Sequence, residues 1–404
     1  MPFTRKQTEY LYNATHRWNI KSGATRSGKT YLDFFIIPKR IKRVRGEDGL
    51  IVLLGNTRET IRRNIISPLQ KKWGDDLVSD IRTSDNTCTM FGETVYCIGA
   101  DKVSQVDKIR GSGIKYCYGD EVCTWSPEVF QMLKSRLDKP YSKFDGTCNP
   151  EHPEHWFKQF IDSDADIYAQ HYTIYDNDFL DKTVVAELEK EYAGTIYYNR
   201  YILGQWVRAE GLIYGTFADN PARYEITKDE AKNKRIVSYN IGIDFGGNKS
   251  RHAFVFSGVT DGNELIALKS RSFSATGVDV NTLIDKFILF RDECLSDYGR
   301  IDAIYPDSAE QTIINSIRAR VNQRVYNSIK NPINDRIRAE TILIGSNRFY
   351  YVKDENEALV DGLKTALWDE KAKDDKRLDD GTSNIDILDA FEYSWEYNIA
   401  RLTR

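Results

Sequence analysis

The chain has 404 residues, long for one domain and suited to two or three. With 41% hydrophobic and 29% charged residues, it reads as a globular chain with ample core. A formal net charge of −3 removes any global charge argument for nucleic-acid binding, so such contacts must come from local patches. Cys88, Cys97, Cys117, Cys123, Cys148 and Cys294 contain no C-x-x-C pair, and His152 and His155 lack zinc-site spacing. Reduced, partly buried thiols of a cytosolic protein are therefore expected. The polar N-terminus has no secretory apolar region, and no apolar run approaches a membrane span.

Gln7 stands just upstream of the first predicted strand. Its amide can donate to and accept from an adenine edge, and it reads equally as a solvated helix residue. Trp18 to Ile20 is the strand. Gly23-Ala24-Thr25-Arg26-Ser27-Gly28-Lys29-Thr30 then satisfies G-x-x-x-x-G-K-[ST], and an apolar helix face follows over residues 31–37. In this motif backbone N–H groups cradle phosphates, the lysine reaches the β- and γ-phosphates, and the threonine hydroxyl binds Mg²⁺. Lys39, Arg40, Lys42, Arg43 and Arg45 form a basic helix end, read as solvated or as a contact for DNA or a partner. Residues 50–55 form a buried parallel strand. Arg58, Arg62 and Arg63 lie on a helix predicted to end near Pro68. Residues 87–91 and 94–98 form a hairpin around Gly92-Glu93.

Residues 114–119 form an apolar strand ending in Asp120-Glu121, the Walker B pattern. There the aspartate supports the Mg²⁺ shell and the glutamate positions and deprotonates the attacking water. Gly146-Thr147-Cys148-Asn149-Pro150 reads as a strand tip able to sense a γ-phosphate, or as an ordinary Asn-Pro turn.

With these residues in place, the chain resembles the large terminase subunit of tailed bacteriophages almost end to end. Gln7, the loop with Arg26, Asp120-Glu121, and Thr147 to Pro150 followed by His155-Trp156-Phe157 are similar to family segments. So are residues 171–177 and 203–214, which have no generic physical reading. The resemblance implies an adenine contact by Gln7, a cis arginine finger at Arg26, and ATP with Mg²⁺ as cofactor. It implies double-stranded DNA, the portal protein and the small terminase subunit as partners. It further implies a ring on the portal, a monomer in isolation, and action in the host cell cytoplasm.

Asn220-Pro221 and the charged residues 228–235 mark a linker over 207–235. Residues 237–247, 253–259 and 264–268 then read as an antiparallel meander with Asp244 ending its first strand, as an RNase H-like nuclease opens. A second strand ends in Asp307 with Glu310 nearby, and a helix follows over 312–321. Asp386 and Asp389, three apart, share a helix face. Such acids can converge on two divalent ions about 4 Å apart, Mg²⁺ or Mn²⁺. Asp244, Asp307 and Asp389-Ala390 look like the family's metal acids. Asp386 stands where many relatives carry histidine, and Glu392 where an arginine usually precedes the helical tyrosine. The basic segment Arg318, Arg320, Arg324, Lys330, Arg336 and Arg338 reads as a DNA-backbone track or as a solvated face. Asp369 to Asp380 reads as an exposed charged loop.

The expected fold is α/β: a P-loop ATPase with a mainly parallel sheet over 1–206, and an RNase H-like nuclease with a mixed sheet over 236–404. The expected function is ATP-driven packaging of DNA with endonucleolytic cutting. Two alternatives are a helicase or repair ATPase fused to a nuclease, and a nucleotide-switched assembly subunit with an inactive nuclease. The first lacks its helicase motifs after Walker B.

Overall fold

A computed structural model describes the chain except residues 1–2, 110, 248–249, 373, 382 and 404, and the side chains of 107–109. The chain forms two compact units, Met1–Val185 with Tyr197–Arg208, and Ala186–Ile196 with Ala209–Arg404.

The first unit is built on a seven-stranded sheet. Its strands are β1 (Trp18–Gly23), β2 (Leu50–Gly55), β3 (Thr87–Met90), β4 (Glu93–Gly99), β5 (Ile114–Gly119), β6 (Lys143–Cys148) and β7 (Ile167–Tyr172), in the order β3-β4-β2-β5-β6-β1-β7. All neighbours are parallel except the β3–β4 hairpin. The central strands read as unbroken apolar runs because both faces are covered. Trp18, Phe130, Phe144, Phe157 and Phe160 fill one side, each buried ring contributing about 1.5–3 kcal/mol. Helix α1 (Arg5–Asn13) starts in a capping box between Thr4 and Gln7, and α2 (Lys29–Arg43) follows β1.

Two expectations change here. The helix from Arg58 does not end at Pro68: a π turn over Arg62–Ile66 breaks the register, and a helix resumes over Ser67–Trp73 with the proline in its first turn, where a missing N–H is tolerated. The basic helix end is not wholly solvated either. Arg40 is buried, its Nε 2.7 Å from Asp145 Oδ2, and Tyr10 donates to Asp145.

The second unit also carries a seven-stranded sheet, in the order β13-β12-β9-β10-β11-β14-β8. These strands are β8 (Glu225–Ile226), β9 (Ile236–Asp244), β10 (Arg251–Thr260), β11 (Leu265–Ser274), β12 (Ala303–Pro306), β13 (Arg324–Val325) and β14 (Phe349–Val352). The meander β9–β10–β11 is antiparallel, and the outer pairings are parallel. Helices α3 (Val280–Tyr298), α4 (Gln311–Arg320), α5 (Ile333–Gly345) and α6 (Ile385–Trp395) complete the unit.

Residues 207–235, expected as a linker, are largely folded into this unit. Ala209, Ile213, Tyr214, Phe217 and Tyr224 are buried in its core, and Leu212 bridges Leu367. The aromatic and aliphatic residues at these positions carry the reason: they would be costly to leave in water. All six cysteines are free thiols. Among the described residues no helix is long and apolar enough to cross a membrane.

Candidate functional site

In the first unit, residues 23–30 join the end of β1 to the start of α2. The N-cap Gly28 is left-handed, with φ 83°, and supplies no side-chain cap. The first-turn N–H groups of a 15-residue helix therefore face the loop without a capping side chain, an anion site in waiting. Lys29 folds back over the loop, donating to Gly23 O at 2.9 Å, Ala24 O at 2.6 Å and Asn149 Oδ1 at 3.1 Å. Burial lowers its pKa to about 8, against the opposing pull of Glu121 and Asp120. Ser27 Oγ donates to Ala24 O at 2.8 Å, and Thr25 Oγ1 to Tyr201 O at 3.4 Å. Arg26 is exposed and left-handed, with φ 55°. A cavity of about 380 Å³ is lined by Arg26, Ser27, Gly28, Lys29, Thr30, Tyr31, Asn177 and Leu180.

Gln7 sits against this loop. Its Nε2 donates to Gly28 O and its Oε1 accepts from Thr4 N, both at 3.0 Å. An amide has two donors and two lone pairs, so one of each remains.

Asp120 is buried just past β5. Its carboxylate accepts from Asn64 Nδ2 at 3.0 Å and from Thr147 Oγ1 at 3.3 Å. Burial raises its pKa, and those two donors oppose the rise. Glu121 is exposed and left-handed, with φ 49°, and its N–H donates to Thr147 Oγ1 at 3.4 Å. The Thr147–Pro150 segment thus touches both motifs: Thr147 reaches Asp120, and Asn149 reaches Lys29.

The two stretches that had no generic reading acquire one. Asn177 donates to Arg26 O at 2.7 Å, and Lys6 donates to His171 O at 2.6 Å. Gly204 lies on the loop so closely that a Cβ there would stand 2.2 Å from Tyr172 O and 2.9 Å from Gly23 Cα. Trp206 Nε1 donates to Ser22 Oγ at 3.1 Å. Gly204, Trp206 and Asn177 therefore buttress the loop, and Asn64 buttresses Asp120. No local pattern in the sequence signals them, because their partners lie far away in the chain.

The second unit gathers the predicted acids. β9 and β12 are parallel neighbours, with Ile243 opposite Pro306. Asp244 and Asp307 therefore emerge side by side, and Asp307 N donates to Ile243 O at 2.8 Å. Gly242 lets α6 lie directly on β9, since a Cβ there would be 1.9 Å from Ala390 O. That approach brings Asp386 and Asp389 to Asp244. Burial raises the Asp244 pKa well above the carboxylate range, and Asp389, Asp386 and Asp307 push it further. Asp386 lies beside Asp244 and accepts from Arg251 N at 2.6 Å. Glu310 is exposed ahead of α4.

Cations hold the cluster. Lys330 Nζ is 2.5 Å from Asp307 Oδ1, and Arg377 Nη2 is 2.5 Å from Asp389 Oδ1. Glu392 is fully buried between Arg377, at 2.6 Å, and Arg336. The basic segment is thus not one solvated face. Arg336 is a core ion pair, Arg338 donates to Tyr192 at 3.3 Å, and Arg320 pairs with Asp285 at 3.1 Å. Arg377 likewise takes part of the expected charged loop indoors; Lys373 of that loop lies outside the described residues.

With the side chains so paired, no group of three or more His, Cys, Asp or Glu among the described residues is arranged to hold a metal ion. The donor set itself suits hard divalent ions such as Mg²⁺ or Mn²⁺, being all carboxylate. The mutual repulsion around Asp244 is the imbalance such an ion would relieve.

Residues 21–218 match the family described as terminase large subunit, T4likevirus-type, N-terminal. The large terminase of a thermophilic bacteriophage shares the fold, with a TM-score of 0.82 and 24% identity, covering 97% of this chain and 98% of that one. The same protein solved with ADP gives 0.79 at 24% identity, and with ATP-gamma-S 0.78 at 23%, over the same shares of each chain. No curated protein sequence matches the chain. The sequence of residues 21–218 thus matches the N-terminal region of terminase large subunits, and the whole chain shares its fold with a bacteriophage large terminase along nearly its full length.

Proposed function

We propose that this chain is a large terminase subunit acting as a DNA-packaging motor. ATP hydrolysis in the first unit drives double-stranded DNA into a procapsid, and the second unit, an RNase H-like nuclease, cuts the concatemer. One observation carries the reading. A single chain holds both an uncapped helix N-terminus with a buried lysine folded over its loop and a four-carboxylate cluster around Asp244.

In the first unit, Gly23 to Thr30 bind the phosphates of ATP, with Thr30 and Asp120 holding its Mg²⁺. Lys29 leaves its carbonyl partners for the β- and γ-phosphates. Gln7 turns its remaining donor and acceptor to adenine. Glu121 orients and deprotonates the attacking water, and Arg26 offsets charge on the γ-phosphoryl group. Asn149, bonded to Lys29, registers the γ-phosphate and passes the change on through Thr147–Pro150. In the second unit, Asp244, Asp307, Asp386 and Asp389 hold Mg²⁺ or Mn²⁺. Bound there, the ions supply water activation and stabilisation of the leaving 3′ oxygen. The acids keep that pair in place and Arg377 holds Asp389 in orientation. The partners are the portal protein and small terminase subunit, with the chain acting as a ring on the portal in the host cytoplasm.

Plasmid cleavage in Mn²⁺ or Mg²⁺, run beside Asp307→Ala, tests the nuclease. DNA-stimulated ATPase, run beside Lys29→Ala, tests the motor. Cleavage and hydrolysis, each lost in its own variant, are expected. ATP binding without cleavage in either metal would overturn the nuclease half and favour the assembly-subunit reading. Strand separation would favour the helicase reading. Asn149→Ala should hydrolyse ATP without translocating DNA; normal packaging by this variant would remove the coupling role.

A further inference from the structure

Among the described non-glycine residues, eight have positive φ, and four of those are asparagine or aspartate, which tolerate it. The other four are Arg26, Phe91, Glu121 and Lys330. Phe91 turns the β3–β4 hairpin; Arg26 and Glu121 belong to the nucleotide site. Lys330 has a φ of 55° in a connecting segment just ahead of Asn331-Pro332. Holding a lysine there costs energy that the surrounding structure must supply.

The supply is visible. Glu396, fully buried just past α6, accepts from three successive backbone N–H groups: Ile329 at 2.8 Å, Lys330 at 3.0 Å and Asn331 at 3.1 Å. Ser328, one residue earlier, receives the N–H of Ser308 at 3.2 Å, beside Asp307. A buried carboxylate and the edge of β12 thus grip both ends of a short segment. The Lys330 side chain reaches the acid cluster, 2.5 Å from Asp307, and its charge opposes the crowding of acids on Asp244. Arg336 and Arg377 differ in kind: they are buried and shared with Glu392, whereas the Lys330 side chain is 39% exposed.

We propose that Lys330 is a positioning residue of the second-unit site: its ammonium occupies the cation position beside Asp307 and Asp244, and divalent ions load only by displacing it. The inference rests on the reading that these acids bind metal. Lys330 offsets part of the acids' repulsion before loading, and sets the metal concentration at which the site opens.

The test is Mn²⁺ binding to the full chain without DNA, followed by the free-ion paramagnetic signal. The relevant sites are those that Asp307→Asn removes, which separates them from the nucleotide site. Lys330→Gln should bind Mn²⁺ about tenfold more tightly than the unaltered chain, because a competing unit charge a few ångströms away is gone. Lys330→Arg should bind as the unaltered chain does. Glu396→Gln, which loosens the grip on the segment, should move affinity in the same direction as Lys330→Gln. Equal affinity in Lys330→Gln and the unaltered chain, with Asp307-dependent sites present, would overturn the role of Lys330 alone. No Asp307-dependent binding in any variant would overturn the metal reading and this inference together.

Discussion

Gly204→Ala isolates the contact between residues 203–206 and the loop of residues 23–30. Gly204 has a φ of 69°, so an alanine there carries left-handed strain of about 1–2 kcal/mol. The new Cβ would also meet Tyr172 O at 2.2 Å, and Ala24 N and Gly23 Cα at 2.9 Å. All three are backbone atoms, so no side chain can rotate away, and the overlap adds about 1–3 kcal/mol. The sum is about 2–5 kcal/mol. For a unit of roughly 200 residues, each kcal/mol lowers Tm by about 2–4 °C, so a fall of about 10 °C is expected. Gly46 is the matched control: it lies in the same unit, has a φ of 77°, and nothing lies within 4 Å of its Cβ position. Gly46→Ala carries the strain without the overlap. Thermal unfolding followed by tryptophan fluorescence, with titration of a fluorescent ATP analogue, reads both consequences. Gly204→Ala should melt well below Gly46→Ala and bind nucleotide more weakly, because the overlap displaces Gly23 and Ala24. Indistinguishable melting and affinity in the two variants would refute the claim that this contact shapes the loop.

Lys29 sits near pKa 8 in the free protein, below its ordinary 10.5, so the free fold gains stability as pH rises from about 8 to 10.5. A bound phosphate favours the charged lysine. Nucleotide binding near pH 8 should therefore take up protons, read by calorimetry in buffers of different ionisation enthalpy. Affinity should fall by up to about tenfold per pH unit above it; no uptake would contradict the burial argument. Lys21 and Asp33 form a buried ion pair at 2.7 Å. Lys21→Met should cost about 3–5 kcal/mol by denaturant melting, and adding Asp33→Leu should recover much of it. Burial raises Asp33 to about 6 even with Lys21 holding it down, and removing Lys21 raises it further, so the single-variant penalty is greatest at high pH and shrinks as pH falls towards 6. Gly242→Ala would put a Cβ 1.9 Å from Ala390 O and 2.6 Å from Ser394 N. It should destabilise the second unit by about 3 kcal/mol and abolish metal-dependent cleavage, because α6 must lift Asp386 and Asp389 off Asp244.

What the sequence alone determines is whatever depends on neighbours along the chain. Residues 23–30 specify a strand–loop–helix turn, because the glycine spacing and the following helix face are local. Asp120-Glu121, Asp244 and Asp307 are legible as acids ending apolar strands, and Asp386 with Asp389 as one helix face. The α/β alternation and both sheets follow from the same local periodicities. Only the tertiary structure decides which charges meet. Arg40 and Arg336 sit in basic runs that read as solvated, yet each is buried against an acid far along the chain, Asp145 and Glu392. Residues 207–235 carry linker signals, and burial of Tyr214, Phe217 and Tyr224 overrides them. Gly204, Gly242 and Lys330 matter through backbone approach and ion pairing across the fold. These contacts depend on how strands and helices stack in three dimensions, and no spacing along the chain encodes them.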